Sequence, residues 1–390
     1  MLELNRESAW EIATGGPWPM PKSLLCGKSD EYHMLEADEY YMAKAIGTGL
    51  TGIGLSSPNP SVGCVIVKDG RVIGRGAHKR AGGAHAEVLA VEDAERHGES
   101  TAGATIYVTL EPCCHFGLTP PCTDALLRAG VKRAVVGISD PDPRVSGGGL
   151  AILQTNGVEV AEGVLGEACA RLHAPFFKFI KTGLPWVALK LALGSDNGVG
   201  PVGVRTNITS PEVQSLAHAL RRASDGILAG RNTVEVDDPQ LTDRWLEPTE
   251  PHRVFRRIIL DSHGSLGDGH RVWQREHGHS TMRVLTEEAP PINGVEDILL
   301  PPGPGGCNLR HLLHELARRG VCRLLVEGGP TLAMQMFQDN LIDVLHIFRS
   351  NKPIRGLTVT LDAVKLHSLS KVVQFDGGAW EVWEIASQTG

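Results

Sequence analysis

Three things missing from the sequence narrow its class before any motif is considered. No apolar run approaches 18 residues, so no transmembrane helix is expected. The N-terminus, Met-Leu-Glu-Leu-Asn-Arg-Glu, lacks the basic start and apolar centre of a signal peptide. An excess of basic residues is also lacking: the formal net charge is −7, which disfavours a nucleic-acid-binding surface. We therefore expect a cytoplasmic protein whose partner is neither a membrane nor a nucleic acid.

A disulfide framework is missing as well. The eight cysteines are scattered along the chain, except for a cluster at 113–122. Scattered cysteines are typical of reduced intracellular thiols, whereas a single close cluster favours a metal site.

The length of the chain predicts two domains, because 390 residues exceed what one ordinary hydrophobic core supports. Residues 1–36 are interpreted as an N-terminal extension, since the Gly- and Pro-rich stretch within them cannot continue a helix or a central strand. The first domain is predicted to span 37–175 and the second 183–390. Residues 172–185 are rich in aromatic side chains and are interpreted as a connection that packs between the domains.

Three residues of the first domain have the types and spacing of a catalytic zinc site: His85, Cys113 and Cys122. Two thiolates and one imidazole suit Zn²⁺, and three protein ligands leave a fourth position for water. Glu87 is placed to take a proton from that water and to return it to a leaving amine. Cys114 is excluded from the ligand set, because adjacent residues seldom both face one ion. This H-x-E … P-C … C pattern is that of the zinc deaminases.

The predicted secondary structure places these residues at the starts of helices. The order of elements is helix, hairpin, helix, strand, helix and strand, with a further strand near 158–160, which indicates a three-layer α/β/α domain. His85 and Cys122 would each begin a helix. The positive ends of two helices would then favour thiolate, hydroxide and anionic substrate groups at one point.

Strands also alternate with helices in the second domain, which predicts a mostly parallel, doubly wound sheet. Ser210 can cap the helix that begins there, and Pro211 suits its first position. The turn Glu327-Gly-Gly-Pro-Thr331 can bring backbone N–H groups to a diphosphate at a helix N-terminus. A plain strand–helix turn has the same pattern, and the G-x-G-x-x-G fingerprint is absent.

The motifs of the first domain resemble those of the bacterial riboflavin-biosynthesis bifunctional deaminase–reductases. The similar stretches are 57–70, 83–88 and 109–122, and in that family eight residues separate the two cysteines, as they do here. The resemblance implies a cytidine-deaminase-like fold. It also implies zinc-dependent deamination of 2,5-diamino-6-ribosylamino-4(3H)-pyrimidinone 5′-phosphate.

The same resemblance implies further residues around the deaminase site. Asn59 and His78 would line the substrate pocket, and Asp140 and Asp142 would lie close to it. Read without the resemblance, these residues would be a turn cap, a strand end and a Pro-bounded loop.

The second domain resembles the reductase half of that family in six stretches: 189–192, 207–211, 220–223, 230–234, 237–244 and 326–332. This implies a dihydrofolate-reductase-like α/β fold, NADPH as cofactor and reduction of the ribosyl group to a ribityl side chain. We also expect a homo-oligomer, a dimer or a tetramer. The residues implied to face NADPH are Ala192, Asn207, Thr233, Asp237, Gly329, Pro330 and Thr331. Those implied to face the substrate are Arg205, Arg222, Leu241, Arg244 and Glu327. The planar fork of arginine matches a phosphate, although each arginine can equally be a solvated surface charge.

Departures from the family pattern fall in the reductase half. The chain has Gly-Ser-Asp-Asn-Gly at 194–198 where the family commonly has Ser-x-Asp-Gly, and Asn207 stands where the family often has Trp. The last 40 residues match the family pattern least well. Three alternatives stay open: a deaminase-only enzyme with a non-catalytic reductase-like domain, a nucleic-acid deaminase, and a structural zinc module.

Overall fold

A five-stranded sheet forms the centre of the first of the two units of this protein. The structure is a computed structural model. It describes residues 13–14, 34–143, 145–244, 254–276, 278–361 and 366–385. The units divide between residues 182 and 183. The predicted extension, 1–36, lies almost entirely outside the described residues. In the described part of the chain, no helix combines the length and apolar character needed to span a bilayer.

The first sheet has the strand order β2-β1-β3-β4-β5. β1 pairs antiparallel with β2 and β3, whereas β3, β4 and β5 run parallel. Helices cover both faces, so the predicted three-layer α/β/α domain is confirmed. The elements are α1 (Met34–Leu50), β1 (Gly63–Lys68), β2 (Arg71–Ala77), α2 (Ala86–Arg96), β3 (Thr105–Val108), α3 (Cys122–Arg128), β4 (Arg133–Val136), α4 (Gly148–Thr155), β5 (Glu159–Glu162) and α5 (Gly166–Thr182).

Helix α2 lies unusually close to the hairpin beneath it. A Cβ atom added to Gly76 would collide with the carbonyl oxygen of Ala86, and one added to Gly74 would collide with that of Ala90. Only glycine allows backbone to pack against backbone at this distance. The position of the first turn of α2, which carries Glu87, is therefore fixed by the strand.

Residues 172–182, which make up most of the segment interpreted as a connection, belong to α5. Pro175 lies inside this helix, where a proline removes one backbone hydrogen bond. Burial of Cys169, Leu172 and His173 on one face outweighs the loss of one backbone hydrogen bond. The predicted domain boundary at residue 175 falls inside the same helix.

The second unit is built on a nine-stranded sheet of order β11-β10-β9-β8-β14-β6-β15-β18-β17. Strands from β11 to β15 in this order run parallel, which confirms the predicted mostly parallel sheet, and β18 and β17 add an antiparallel edge. Its strands are β6 (Trp186–Leu193), β7 (Gly198–Gly200), β8 (Gly226–Gly230), β9 (Phe255–Leu260), β10 (His279–Leu285), β11 (Glu296–Leu299), β12 (Pro302–Gly303), β13 (Gly306–Cys307), β14 (Arg323–Val326), β15 (Val344–Ser350), β16 (Leu357–Thr358), β17 (Leu366–Phe375) and β18 (Gly378–Ile385). Its helices are α6 (Pro211–Arg222), α7 (Arg231–Asp237), α8 (Leu309–Arg318) and α9 (Pro330–Gln338), with a 3₁₀ turn at Arg271–Trp273.

The start of α6 follows from its sequence. Ser210 is the N-cap and its hydroxyl accepts a hydrogen bond from the N–H of Val213, while Pro211 occupies the first turn. This confirms the predicted start of α6.

Candidate active sites

His85, Cys113 and Cys122 come together at the ends of two helices. His85 is the N-cap of α2 and Cys122 is the first residue of α3, with Cys113 in the loop before it. Nδ1 of His85 lies 3.1 Å from Sγ of Cys122 and 3.5 Å from Sγ of Cys113. All three ligand atoms lie within 4.8 Å of one another.

This donor set fits zinc. Bond lengths of about 2.0–2.3 Å in a tetrahedral site place neighbouring N and S ligands about 3.5–3.8 Å apart, close to the separations observed. Two sulfurs and one imidazole nitrogen occupy three corners, which leaves the fourth for water or substrate. Cys114 is not part of the group.

The two thiols share their protons unequally. The hydrogen bond from Cys122, together with the neighbouring His85, lowers the pKa of Cys113 to about 4, whereas the same interaction raises the pKa of Cys122. The backbone N–H of Cys122 also donates to Sγ of Cys113 at 3.3 Å. One thiolate, the form that binds metal, is thus already stabilised by the protein.

Glu87 lies in the first turn of α2 and is 3 % exposed. Burial, with the negative charge of Cys113, raises the pKa of Glu87 to about 7. A carboxyl group with such a pKa can both accept and release a proton near neutral pH.

Asn59 and His78 lie beside the metal ligands. The Nδ1 of His78 is 3.0 Å from the carbonyl oxygen of Ala84, so Nδ1 carries the proton and Nε2 accepts from the amide nitrogen of Asn59 at 3.1 Å. Burial lowers the pKa of His78, which keeps the ring neutral. The rings of His78 and His85 pack edge to face, with centroids 5.2 Å apart. The orientation of the Asn59 amide is therefore set by His78.

Glu111 is a further residue of this site that sequence reasoning missed. It is 4 % exposed, and its carboxylate accepts backbone N–H groups of Asp140 (3.3 Å), Gly147 (3.0 Å) and Gly149 (3.1 Å). These bonds join the loop that precedes Cys113 to the start of α4. A glutamate directly before a Pro-Cys ligand motif was the available signal.

The two expected aspartates lie in the loop that Glu111 holds. Asp140 and Asp142 are each 8 % exposed, and the N–H of Asp142 donates to Oδ1 of Asp140 at 2.8 Å. Burial, with nearby negative groups, raises the pKa of Asp140 to about 6.

The second unit contains a cavity of about 900 Å³. It is lined by all but one of the residues expected to face NADPH or substrate: Ala192, Arg205, Asn207, Thr233, Asp237, Leu241, Arg244, Glu327, Gly329, Pro330 and Thr331. A volume of this size accommodates a cofactor and a small substrate.

Arg222 is the exception. Its guanidinium pairs with Asp243 at 3.8 Å and it is not among the residues that line the cavity. Its neighbour Arg221 lines the cavity instead and forms an ion pair with Glu327. A helix turns by about 100° per residue, so adjacent arginines face different ways, and sequence reasoning missed Arg221.

Glu327 lies between two cations. Burial opposes its ionisation, but Arg221 and Lys190 outweigh that effect and lower the pKa of Glu327 to about 2. The Lys190 Nζ is 3.8 Å from Oε2 of Glu327. Sequence reasoning had not included Lys190, which lines the cavity at the centre of β6.

The cavity also has the features that a dinucleotide needs. The N-cap of α9 is Gly329, which has no side chain to cap the first N–H groups of the helix, and Pro330 occupies the first turn. A Cβ atom on Gly329 or Gly230 would meet nothing within 4 Å, so the cavity wall there is open backbone. Free N–H groups at a helix start suit a diphosphate, so the residues present fit NADPH.

A deaminase-type metal centre in one α/β unit and a cofactor-sized cavity in another define a two-domain deaminase–reductase. Comparison with known families agrees: the cytidine and deoxycytidylate deaminase zinc-binding region matches residues 35–138, and the RibD C-terminal domain matches residues 185–352.

Individual relatives match over most of the chain. The riboflavin biosynthesis protein RibD of Escherichia coli is 40 % identical over 325 residues, covering 81 % of this chain and 88 % of that protein. RibD of Aquifex aeolicus is 38 % identical over 341 residues, covering 86 % and 93 %. The crystal structure of a diaminohydroxyphosphoribosylaminopyrimidine deaminase/5-amino-6-(5-phosphoribosylamino)uracil reductase from Thermotoga maritima superposes with a TM-score of 0.81 at 35 % identity, covering 91 % of this chain and all of that one.

The chain belongs to the RibD family of riboflavin biosynthesis proteins. This confirms the expected bifunctional enzyme, with a deaminase and a reductase domain. The expected cofactors, zinc and NADPH, agree with these domains and with the His/Cys/Cys cluster.

Proposed function

We propose that the first unit deaminates 2,5-diamino-6-ribosylamino-4(3H)-pyrimidinone 5′-phosphate and that the second reduces the ribosyl group of the product. The observation that carries this proposal is the position of buried Glu87 beside the cluster of His85, Cys113 and Cys122. The cavity of the second unit, with its cations and its open helix start, supports the second step.

In the deaminase step, His85, Cys113 and Cys122 would hold zinc, which when bound acts as a Lewis acid and acidifies water. Glu87 accepts a proton from the attacking water and passes it to the departing ammonia. Its pKa of about 7 makes both transfers accessible. Asn59, oriented by His78, positions the pyrimidine ring.

In the reductase step, the bound cofactor supplies the hydride. The protein contributes position and charge. As the family resemblance implies, Ala192, Asn207, Thr233, Asp237 and the turn Gly329–Thr331 would face NADPH, and all of them line the cavity. Arg205, Leu241, Arg244 and Glu327 would hold the phosphorylated substrate, with Arg221 and Lys190 keeping Glu327 ionised.

The unusual turn after β6 is well supported, which favours a working reductase over a deaminase-only enzyme. Oδ1 of Asp196 accepts the N–H groups of Gly198 at 3.0 Å and Ile354 at 2.9 Å. Asn197 adopts a left-handed φ of 60°, and its side chain accepts a bond from Arg349 at 2.8 Å. The departure of this turn from the family pattern is thus accommodated by contacts of its own residues.

One incubation separates the two activities. The purified protein is mixed with the diaminopyrimidinone phosphate, with and without NADPH, and ammonia and NADPH are measured independently. We expect ammonia in both mixtures and NADPH oxidation in the second. Ammonia without NADPH oxidation would support the deaminase-only alternative, and absence of both would overturn the proposal.

We further propose that the enzyme acts in the cytoplasm as a homo-oligomer, a dimer or a tetramer. The seven cysteines of the described residues are thiols rather than members of disulfides, as in a reducing compartment. The edge strand β17 exposes Leu369 and Val372, and an edge strand with apolar side chains is suited to pairing with a second copy. Light scattering at several concentrations tests the oligomeric state, and a monomer at all of them would contradict it.

A further inference from the structure

Two histidines hold the loop that carries Arg244 into the reductase cavity. The backbone N–H of Asp243 donates to Nε2 of His279 at 3.2 Å, and the next N–H, that of Arg244, donates to Nδ1 of His218 at 3.3 Å. The same loop contains Leu241, which adopts a left-handed φ of 52°. The unusual backbone of this loop is therefore maintained by two acceptor nitrogens, that of His218 on α6 and that of His279 on β10.

The bond to Nδ1 determines the tautomer of His218. A neutral imidazole has one acceptor nitrogen and one N–H. Because Nδ1 accepts from the backbone, Nε2 carries the proton. Burial and the adjacent Arg221 and Arg244 lower the pKa of His218 to about 4, against the opposing charges of Glu327 and Asp243, so the ring is neutral near pH 7.

Nε2 of His218 lies 3.4 Å from Nη2 of Arg244. With the tautomer fixed, both atoms are donors, so this contact is not a hydrogen bond. Both residues line the cavity. Two N–H groups, one on a full positive charge, thus converge where an acceptor oxygen would bind both.

We propose that the Nε2–H of His218 and the guanidinium of Arg244 form a two-donor subsite for a phosphate monoester in the reductase cavity. Neither composition nor motif spacing indicated His218. The arrangement suits an anion, because charge-assisted donors bind phosphate oxygens strongly. The inference rests on the proposed reductase function and adds a specificity-determining residue to it.

Two phosphates can enter this cavity: the 5′-phosphate of the substrate and the 2′-phosphate of NADPH. Both present the same chemistry to His218 and Arg244. Kinetics with four combinations separates them: the ribosylaminouracil with or without its 5′-phosphate, each with NADPH or NADH.

Two substitutions of His218 test the roles of its two ring nitrogens separately. His218→Asn keeps an acceptor near the Nδ1 position and removes the distal N–H. His218→Gln places an N–H near the Nε2 position and removes the acceptor for the backbone. A His218→Asn enzyme with both loop and fold intact therefore loses only the proposed phosphate donor.

For His218→Asn we expect the preference in kcat/KM for the phosphorylated substrate over its dephosphorylated form to fall about tenfold, as for the loss of one hydrogen bond to a charged group. His218→Gln should retain more of that preference. If the NADPH-over-NADH preference falls instead, the subsite binds the 2′-phosphate of the cofactor. Equal losses of kcat/KM with all four combinations of substrate and cofactor would show that His218 has a merely structural role, and would overturn the inference.

A binding measurement keeps the inference independent of turnover. Inorganic phosphate is titrated into the full-length wild-type and His218→Asn proteins by calorimetry. We expect the dissociation constant to rise about tenfold in the variant, and an unchanged constant would overturn the subsite. Wild-type protein that binds phosphate but never oxidises NADPH would overturn the proposed reductase function while leaving the subsite supported.

Discussion

Arg221 and Glu327 form a two-pronged ion pair in the reductase cavity, with Nε–Oε1 at 2.7 Å and Nη2–Oε2 at 3.1 Å. Arg221 also donates to the carbonyl oxygen of Thr242 at 2.9 Å. One guanidinium therefore joins α6, the end of β14 and the loop that carries Arg244.

Arg221→Lys should impair reduction far more than Arg222→Lys. Lysine cannot reproduce the fork, and a hydrogen bond to a charged group contributes about 1.5–3 kcal/mol. We expect kcat/KM for reduction to fall about 10- to 100-fold in Arg221→Lys and by less than about threefold in Arg222→Lys. Ammonia release should be unchanged in both. Equal losses of kcat/KM in the two variants would show that the contribution of an arginine to reduction does not depend on whether its side chain faces the cavity.

Glu87→Gln should abolish deamination without affecting the metal. The amide cannot accept the proton, and general acid–base catalysis typically contributes about 10²- to 10⁴-fold. We expect ammonia release to fall by that factor while zinc content, measured by atomic absorption, stays the same. NADPH oxidation with supplied deaminated product should also be unchanged. Glu92→Gln, an exposed change on the same helix, is the control and should retain full activity.

Cys113→Ser and Cys114→Ser should differ in metal content although the positions are adjacent. Only Cys113 belongs to the cluster with His85 and Cys122. Serine is a poor zinc ligand, so we expect Cys113→Ser to lose zinc on dialysis and Cys114→Ser to keep one ion per chain. Zinc lost from Cys114→Ser would contradict the assigned ligand set.

We expect the first unit to lose stability in acid, because Asp38 stabilises it only while its carboxylate is ionised. Its side chain accepts bonds from Nη1 and Nη2 of Arg133, each at 2.8 Å, and from the Tyr107 hydroxyl at 2.8 Å. Burial opposes ionisation of Asp38, but these bonds outweigh it, so its pKa lies below the ordinary value. A lowered folded-state pKa contributes stability above the unfolded-state pKa of about 3.9, and this is lost as the pH falls through the folded-state value.

Hydrogen exchange of the β3 and β4 amides measures that contribution. We expect Asp38→Asn to reduce their protection at pH 7 by about 1.5–3 kcal/mol. The difference between wild type and variant should shrink as the pH falls below about 4. A difference that does not change with pH would show that the charge of Asp38 is unimportant.

The metal centre was predictable because its chemistry is local. His85 and Cys122 begin helices whose periodicity is visible in the sequence, and metal ligation restricts the residue types that can stand there. Glu111 was missed because its carboxylate binds backbone N–H groups of Asp140, Gly147 and Gly149. Backbone partners leave no pattern of side chains to recognise.

The second unit was predicted less completely, because much of it depends on distant pairing. β15 lies between β6, over 150 residues earlier, and β18. β18 alternates buried and half-buried side chains, but nothing in its sequence identifies β15 as its partner. The choice of Arg221 over Arg222 depended on which side of α6 faces the cavity, and the partner of Arg221 there, Glu327, lies more than 100 residues later in the chain.

The close approach of α2 to Gly74 and Gly76 restricts how this enzyme can evolve. The backbone of the helix is already in contact with the backbone of the strand, so the helix has no room to shift and admit a larger ring. Any side chain in place of either glycine would push the helix off the sheet. A new substrate must therefore be accommodated by loops, such as the one around Asn59. Selection for activity on another aminopyrimidine should accumulate substitutions there and leave both glycines untouched.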